Sequence, residues 1–248
     1  MLRYQQSRNI EVIMSITTIL FDLDGTLLPM DQDSFVRAYF GLLAAKLAPH
    51  GYEAESLIKA IWSGTAAMVK NDGNQTNEDA FWNHFAGLYG EKSRSDEPIF
   101  AEFYHTDFQK VQGVCGFDPR AAQTIAELKA QGYTLILSTN PIFPAVATES
   151  RMRWAGLNQT DFIHYTTYEN SSYCKPNPDY YRQVLDRIGI DPENCLMVGN
   201  DVTEDMVAAE LGMKVFLLTD FLINKQNKDI SAYPHGSFPE LLDYIRSL

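Results

Sequence analysis

Two aspartates separated by one residue, Asp22 and Asp24, close a short apolar run and are followed at once by Gly25 and Thr26. In an extended chain, residues i and i+2 share a face and lie roughly 6.5 Å apart, so both carboxylates can reach one substrate and take different tasks. Gly25 then turns the chain away. Taken alone, Asp-Gly between apolar runs also describes a hairpin turn with two solvated carboxylates. The rest of the chain has to decide between the two.

Three further groups carry chemistry. They are Ser138-Thr139-Asn140, Lys175 within Cys-Lys-Pro-Asn-Pro, and the run Gly199 to Asp205, which reads Gly-Asn-Asp-Val-Thr-Glu-Asp. Each has a plain structural explanation singly, as a strand exit, a turn or a helix start. Read as one site, Asp22, Asp24, Asp201 and Asp205 make an oxygen-rich set suited to a hard cation, with Mg²⁺ the natural occupant. Two unit charges about 4 Å apart repel by roughly 4 kcal/mol at an effective dielectric near 20, so such a set repels a phosphate unless metal and Lys175 offset it. A carboxylate can then attack phosphorus while a second supplies a proton to the leaving oxygen. Thr26, Thr139, Asn140 and Lys175 are the candidates for holding phosphate oxygens.

The elements that would position these groups follow from periodicity. An apolar strand leads into Asp22. From about Ser34 to Gln112 the pattern is helical only, with amphipathic stretches near Phe35–Leu47, Ser56–Val69, Glu78–Tyr89 and Pro98–Lys110. Beyond that, strands and helices alternate. Asp118-Pro119 opens a helix that Gly132 closes, and strand Tyr133–Leu137 follows. A helix near Phe143–Ala155, a strand near Phe162–Tyr165, a helix near Asp179–Ile188, strand Cys195–Val198, a helix near Glu204–Leu211 and strand Lys214–Leu218 complete the reading. Such wiring predicts an α/β fold with a doubly wound parallel sheet. The core is expected over residues 1–30 and 113–248, with residues 1–13 an N-terminal extension, and a helical cap over residues 31–112. Asp22, Asp24, Thr139 and Asp201 then all fall where such sheets bind ligands, beyond the carboxyl ends of strands.

The arrangement resembles the haloacid dehalogenase superfamily, specifically its Mg²⁺-dependent phosphatases with a helical cap inserted after the first motif. The likeness spans nearly the whole chain. Its Asp-x-Asp-Gly-Thr motif matches Asp22 to Thr26, which implies Asp22 as nucleophile and Asp24 as general acid and base. Thr139-Asn140 matches the second motif, with Ser138 a competitor for its phosphate-binding role, and Lys175 matches the third. Gly199 to Asp205 matches the fourth, which implies Asp201 as a metal ligand and Asp205 as a ligand through water or a group orienting the lysine. The main-chain carbonyl of Asp24 is a further implied ligand. Haloacid-cleaving members lack the second aspartate, so Asp24 favours phosphate esters. A phosphosugar mutase, a phosphonatase using a cap lysine (Lys46, Lys59 or Lys70), and a phosphate-binding regulator without turnover are the alternatives.

In capped members the cap reads the rest of the substrate, so the polar run 70–77, with Asn71 and Asp72, is the candidate loop reaching the site. Trp62, Met68, Phe81, Trp82 and Phe85 recur at helical spacing and read as the cap's own core. A formal net charge of −12 argues against nucleic acid or an anionic membrane as partner. The expected partner is a small phosphorylated metabolite, bound by a monomer or homodimer. Three widely spaced cysteines and the lack of a long apolar run predict a protein of the reducing cytoplasm. No metalloprotease His pairing, serine-hydrolase elbow or glycine-rich lysine loop is present.

Overall fold

In a computed structural model of the chain, residues 16–248 are described, so the expected extension over residues 1–13 lies outside them. Six parallel strands run in the order β3-β2-β1-β4-β5-β6: β1 (Thr18–Phe21), β2 (Thr134–Leu137), β3 (His164–Tyr165), β4 (Cys195–Gly199), β5 (Lys214–Leu218) and β6 (His235–Gly236). Register places Phe21 beside Leu137 and Val198, so three strands end together around β1. The chain passes from β1 to β2 and β3 on one side and returns to β4 on the other. That reversal is where a parallel sheet opens a crevice.

Alternation along the strands explains the two-faced core. Ile19, Phe21, Leu135, Leu137, Leu196 and Val198 join one apolar cluster, and Leu20, Ile136, Cys195 and Met197 the other. Helices α5 (Pro119–Ala130), α6 (Ala145–Trp154) and α8 (Phe238–Arg246) bury their apolar faces in the first cluster, and α7 (Pro178–Ile188) buries its own in the second. Both faces are thus covered, which is why the strands read as continuous apolar runs. The α/β parallel-sheet fold expected above is borne out.

Between β1 and α5 lie four helices, α1 (Gln32–Leu47), α2 (Ala54–Val69), α3 (Asn77–Tyr89) and α4 (Glu91–His105). Their aromatic faces extend the first cluster outward from the sheet: Phe35, Tyr39, Phe85 and Phe103 belong to the same apolar body as Phe21.

Three local readings need correction. The fourth helix begins at Glu91, not Pro98, and gives way to a 3₁₀ segment, Asp107–Val114. Pro98 costs it one intrahelical bond, which the burial of Phe100 and Phe103 outweighs. After β4 a 3₁₀ segment, Met206–Leu211, replaces the expected α-helix and stops at Gly212, whose φ is +91°. Both β6 and α8 lie beyond the last expected strand; α8 carries a legible start, a capping box of Ser237 with Glu240.

Candidate active site

The paired aspartates sit just beyond β1. The amide of Asp22 still donates to the carbonyl of Val198 on β4, at 2.9 Å. The chain then wraps on itself, and the Leu23 carbonyl accepts from the amides of Thr26, Leu27 and Leu28. Gly25 makes the wrap possible: its φ is +81°, and a Cβ there would stand 2.3 Å from the Asn200 side chain. The Thr26 hydroxyl lies 3.2 Å from Asp22 Oδ2 and 3.0 Å from Asn200 Oδ1, so its one proton can serve either.

Lys175 enters from the loop before α7 and is fully buried. Its Nζ donates to Asp22 Oδ1 at 2.9 Å and to Asp205 Oδ1 at 2.6 Å. Burial disfavours its charge, but the two carboxylates win and hold it well above the ordinary lysine value. Burial also pushes Asp205 up, against the pull of Lys175. The other oxygen of Asp205 accepts the Asp201 amide at 2.9 Å. Gly199 leaves the room for this, because a Cβ there would lie 2.1 Å from the Asp205 carboxylate. Asp201 Oδ1 is fixed by the amides of Thr203 and Glu204, at 2.7 and 3.0 Å.

Asp22, Asp24, Thr139, Asn140, Asp201 and Asp205 all line one cavity of about 760 Å³ between the sheet end and helices α1–α4. Ser138 does not: it is fully buried, with its hydroxyl 2.9 Å from that of Tyr180. The Asn140 amide donates to Glu204 Oε2 at 3.0 Å. Burial pushes Glu204 up to about 7.

The four carboxylates do not converge as a cage. Among the described residues, no group of three or more His, Cys, Asp or Glu side chains is arranged to hold a metal. Both oxygens of Asp205 are taken, by Lys175 and the Asp201 amide, and Asp24 Oδ2 meets an arginine described next, whereas among the described residues Asp22 Oδ2 meets only the Thr26 hydroxyl. What remains for a cation is two carboxylates, Asp22 and Asp201, with main-chain oxygen. That all-oxygen set of few protein ligands fits Mg²⁺, which keeps several waters and takes one or two carboxylates plus substrate oxygens.

Arg151 of α6 was not anticipated. Its guanidinium contacts Asp24 Oδ2 and lies over the Phe143 ring, 4.6 Å from the centroid. Only 1% of its surface is exposed, whereas 22% of the Asp24 side chain stays open. Burial raises the Asp24 carboxyl and Arg151 opposes that rise. The signal was present in sequence: Arg151 falls on the helix face of Ala147, Trp154 and Ala155, all buried. A charge on an apolar face requires a partner.

The run 70–77 does not line the cavity. Asn71 is buried and donates to Asn77 Oδ1 and the Gln75 carbonyl, both at 2.9 Å. Asn77 in turn donates to the carbonyls of Pro141 and Tyr173, both at 3.2 Å. Asp72 is exposed, and its carbonyl accepts from the Tyr173 hydroxyl. The run therefore fastens α3 to the loops that carry Asn140 and Lys175. Met68 and Phe85 are interior, as expected, but Trp62, Phe81 and Trp82 also face the cavity.

A family model for haloacid dehalogenase-like hydrolases matches residues 16–212. The chain belongs to the haloacid dehalogenase-like hydrolases. A pyrophosphatase, PpaX, of Bacillus velezensis is 25% identical over 199 residues, 80% of this chain and 81% of that protein. The D-glycero-beta-D-manno-heptose-1,7-bisphosphate 7-phosphatase of Vibrio cholerae is 30% identical over 164 residues, 56% of this chain and 84% of its own. Among solved structures, a haloacid dehalogenase phosphatase from Thermococcus onnurineus superposes with a TM-score of 0.56 at 19% identity, covering 92% of this chain and 97% of that one. A magnesium-bound Bacillus subtilis hydrolase of the family, YfnB, described as showing interdomain movement, reaches 0.54 at 18% identity over 93% and 99%. The expected phosphatase-type enzyme of this superfamily is borne out by these matches. No helix among the described residues is long and apolar enough to cross a membrane.

Proposed function

We propose that this haloacid dehalogenase-like hydrolase is a Mg²⁺-dependent phosphohydrolase that cleaves a phosphomonoester through an aspartyl-phosphate, with α1–α4 as its cap. The observation that carries the reading is the pairing of roles at the β1 exit. Asp22 accepts from Lys175 Nζ at 2.9 Å, while Asp24, two residues on, lines the same cavity with 22% of its side chain exposed and a carboxyl raised by burial. One is placed as nucleophile, the other as proton carrier.

In the first half-reaction a carboxylate oxygen of Asp22 attacks phosphorus in line. The bond from phosphorus to the leaving oxygen breaks, and Asp24 gives that oxygen its proton. In the second, Asp24 takes a proton from water as the water oxygen attacks phosphorus, and the Asp22 carboxylate leaves with its electron pair. Thr139, on the cavity wall, holds a non-transferring oxygen, while Lys175 acts through Asp22 and Asp205, to which its Nζ donates. Asp22, Asp201 and the Asp24 carbonyl would hold Mg²⁺, which would supply the charge neutralisation a phosphate needs to approach these carboxylates.

The phosphonatase alternative finds no support, because none of Lys46, Lys59 and Lys70 lines the cavity, and Lys46 and Lys59 pair with Glu102 and Glu55. The test is phosphate release from p-nitrophenyl phosphate and a panel of esters with Mg²⁺ or EDTA. Release that needs the metal and vanishes in Asp22→Asn is expected. Release that survives Asp22→Asn would sink the covalent mechanism.

A further inference from the structure

The cavity over the carboxylates is larger than a phosphate needs, and its walls are one-sided in character. Pockets of 300–1,000 Å³ typically enclose ligands of drug size; this one, at about 760 Å³, belongs with them. Away from the aspartates its walls are aromatic, with Phe40, Trp62, Phe81, Trp82, Phe143 and Tyr168 facing in. Phe81 and Trp82 are also packed edge to face in the helical layer, with centroids 5.3 Å apart. Trp62 is different. Its ring lies 5.4 Å from Phe40, yet half of its surface is exposed, so its open side is not consumed by the interior.

The charged groups on these walls sort the ligand further. Glu78, Glu97 and Glu169 line the cavity, and Arg94 is the one lysine or arginine that does so among the described residues. Arg94 is already committed, to Glu97 Oε1 at 2.9 Å and Asn83 Oδ1 at 2.7 Å. A second phosphate or a carboxylate on the substrate would therefore meet three carboxylates against a single arginine whose charge is already offset by Glu97.

We propose that the substrate is a phosphomonoester of a bulky, ring-bearing alcohol that carries no second anionic group, with its apolar body between Phe40, Trp62, Phe81 and Trp82. This rests on the phosphohydrolase reading for the position of the phosphate. It sets the protein apart from the functions that its relatives' names describe, pyrophosphate and sugar-bisphosphate cleavage, at the same catalytic aspartates.

The test compares alkyl esters whose leaving oxygens are of similar basicity: ethyl phosphate, 2-phenylethyl phosphate and phosphoglycolate, with inorganic pyrophosphate alongside. Burying a phenyl-sized group predicts a kcat/KM for 2-phenylethyl phosphate about tenfold or more above that for ethyl phosphate. Phosphoglycolate and pyrophosphate fall below both. Trp62→Ala brings the ratio of kcat/KM for 2-phenylethyl phosphate over ethyl phosphate most of the way to one; Thr65→Phe, which fills part of the cavity, does the same. Binding of 2-phenylethylphosphonate against ethylphosphonate, measured by calorimetry with Mg²⁺ present, reads the same preference without turnover. Equal binding of the two phosphonates, or a preference for pyrophosphate or phosphoglycolate, overturns the inference. Absence of release from every ester, with the phosphonate preference intact, overturns the hydrolytic reading and leaves the ligand class standing.

Discussion

Arg151 reaches from the second turn of α6 to the carboxylate of Asp24, so the proton carrier of the proposed reaction is paired with a buried, permanently charged group. Without that partner, burial and the neighbouring Asp22 charge would raise the Asp24 carboxyl further, opposed only by the more distant Lys175. In Arg151→Met, whichever limb of the pH–rate profile Asp24 sets should move to higher pH, and kcat should fall about tenfold or more. Arg151→Lys should restore the limb only in part, since an ammonium lacks the planar fork that also lies over Phe143. Arg151 is a positioning residue in this account. A lowered melting temperature with an unmoved pH profile would reduce it to a structural one.

Lys175 poses the opposite problem, one cation between two buried carboxylates. Lys175→Met leaves Asp22 and Asp205 facing each other without compensation, and removing one partner of a buried ion pair costs about 3–5 kcal/mol. The double variant Lys175→Met/Asp205→Asn should recover a large part of that loss, because it removes one of the stranded charges. Urea unfolding of the four members of the cycle measures it. Additive losses would mean that Lys175 stabilises by packing and not by charge.

The polar run marks Asn71 and Asp72 as candidate readers of substrate, and their surroundings change what their removal should do. Asn71 acts on Asn77, which is wholly buried and bridges to two carbonyls of the core loops, so truncating either strands polar groups at about 1–3 kcal/mol each. Asn77→Ala should lower stability more than Asn71→Ala, and Asp72→Ala should be near neutral. Both asparagine variants should slow all substrates alike, by loosening the seat of α3 beside the Lys175 loop. A change confined to one class of ester would return the loop to a reading role.

These three cases show which parts of the site were legible. Asp22, Asp24, Thr139, Asp201 and Asp205, which share one cavity wall, were legible as a set because each follows a strand end in a local motif, while Lys175 was legible from its own Lys-Pro-Asn-Pro motif in the loop before α7. Thr139 could not be separated from Ser138, since the choice depends on Tyr180 arriving from α7. Asn77 looked like an ordinary helix-start residue because its partners lie 64 and 96 positions away. The 3₁₀ segment after Asp205 was read as α-helix because apolar spacing does not report that the site draws the Asp205 side chain inward; Ala208 instead bonds back three residues to the Asp205 carbonyl.

His164, on the edge of the sheet beside β2, supplies a stability prediction independent of catalysis. Burial, helped by Arg187, pushes its imidazole down to about 4 from an ordinary 6.5. Between those two values the unfolded chain binds a proton that the folded chain does not, so stability rises with pH across the window and is lost as pH falls through it. In His164→Gln this component disappears. Melting temperatures from pH 4 to 7.5 should converge for the two proteins at the acid end relative to their separation at pH 7.5. Parallel curves would show that His164 keeps its ordinary value in the fold.

A metal prediction can be read without turnover. If Asp22 and Asp201 hold Mg²⁺ beside main-chain oxygen, the folded chain binds the ion and the unfolded chain does not, and a ligand at a hundred times its dissociation constant stabilises by about 2.7 kcal/mol. Millimolar Mg²⁺ should therefore raise the melting temperature of the native protein. Asp201→Asn should lose most of that rise, whereas Asp205→Asn should keep more of it, because Asp205 is turned to Lys175 and the Asp201 amide. The ordering of the two variants matters more than either value: a larger loss in Asp205→Asn would make Asp205 the ligand and leave Lys175 to Asp22 alone.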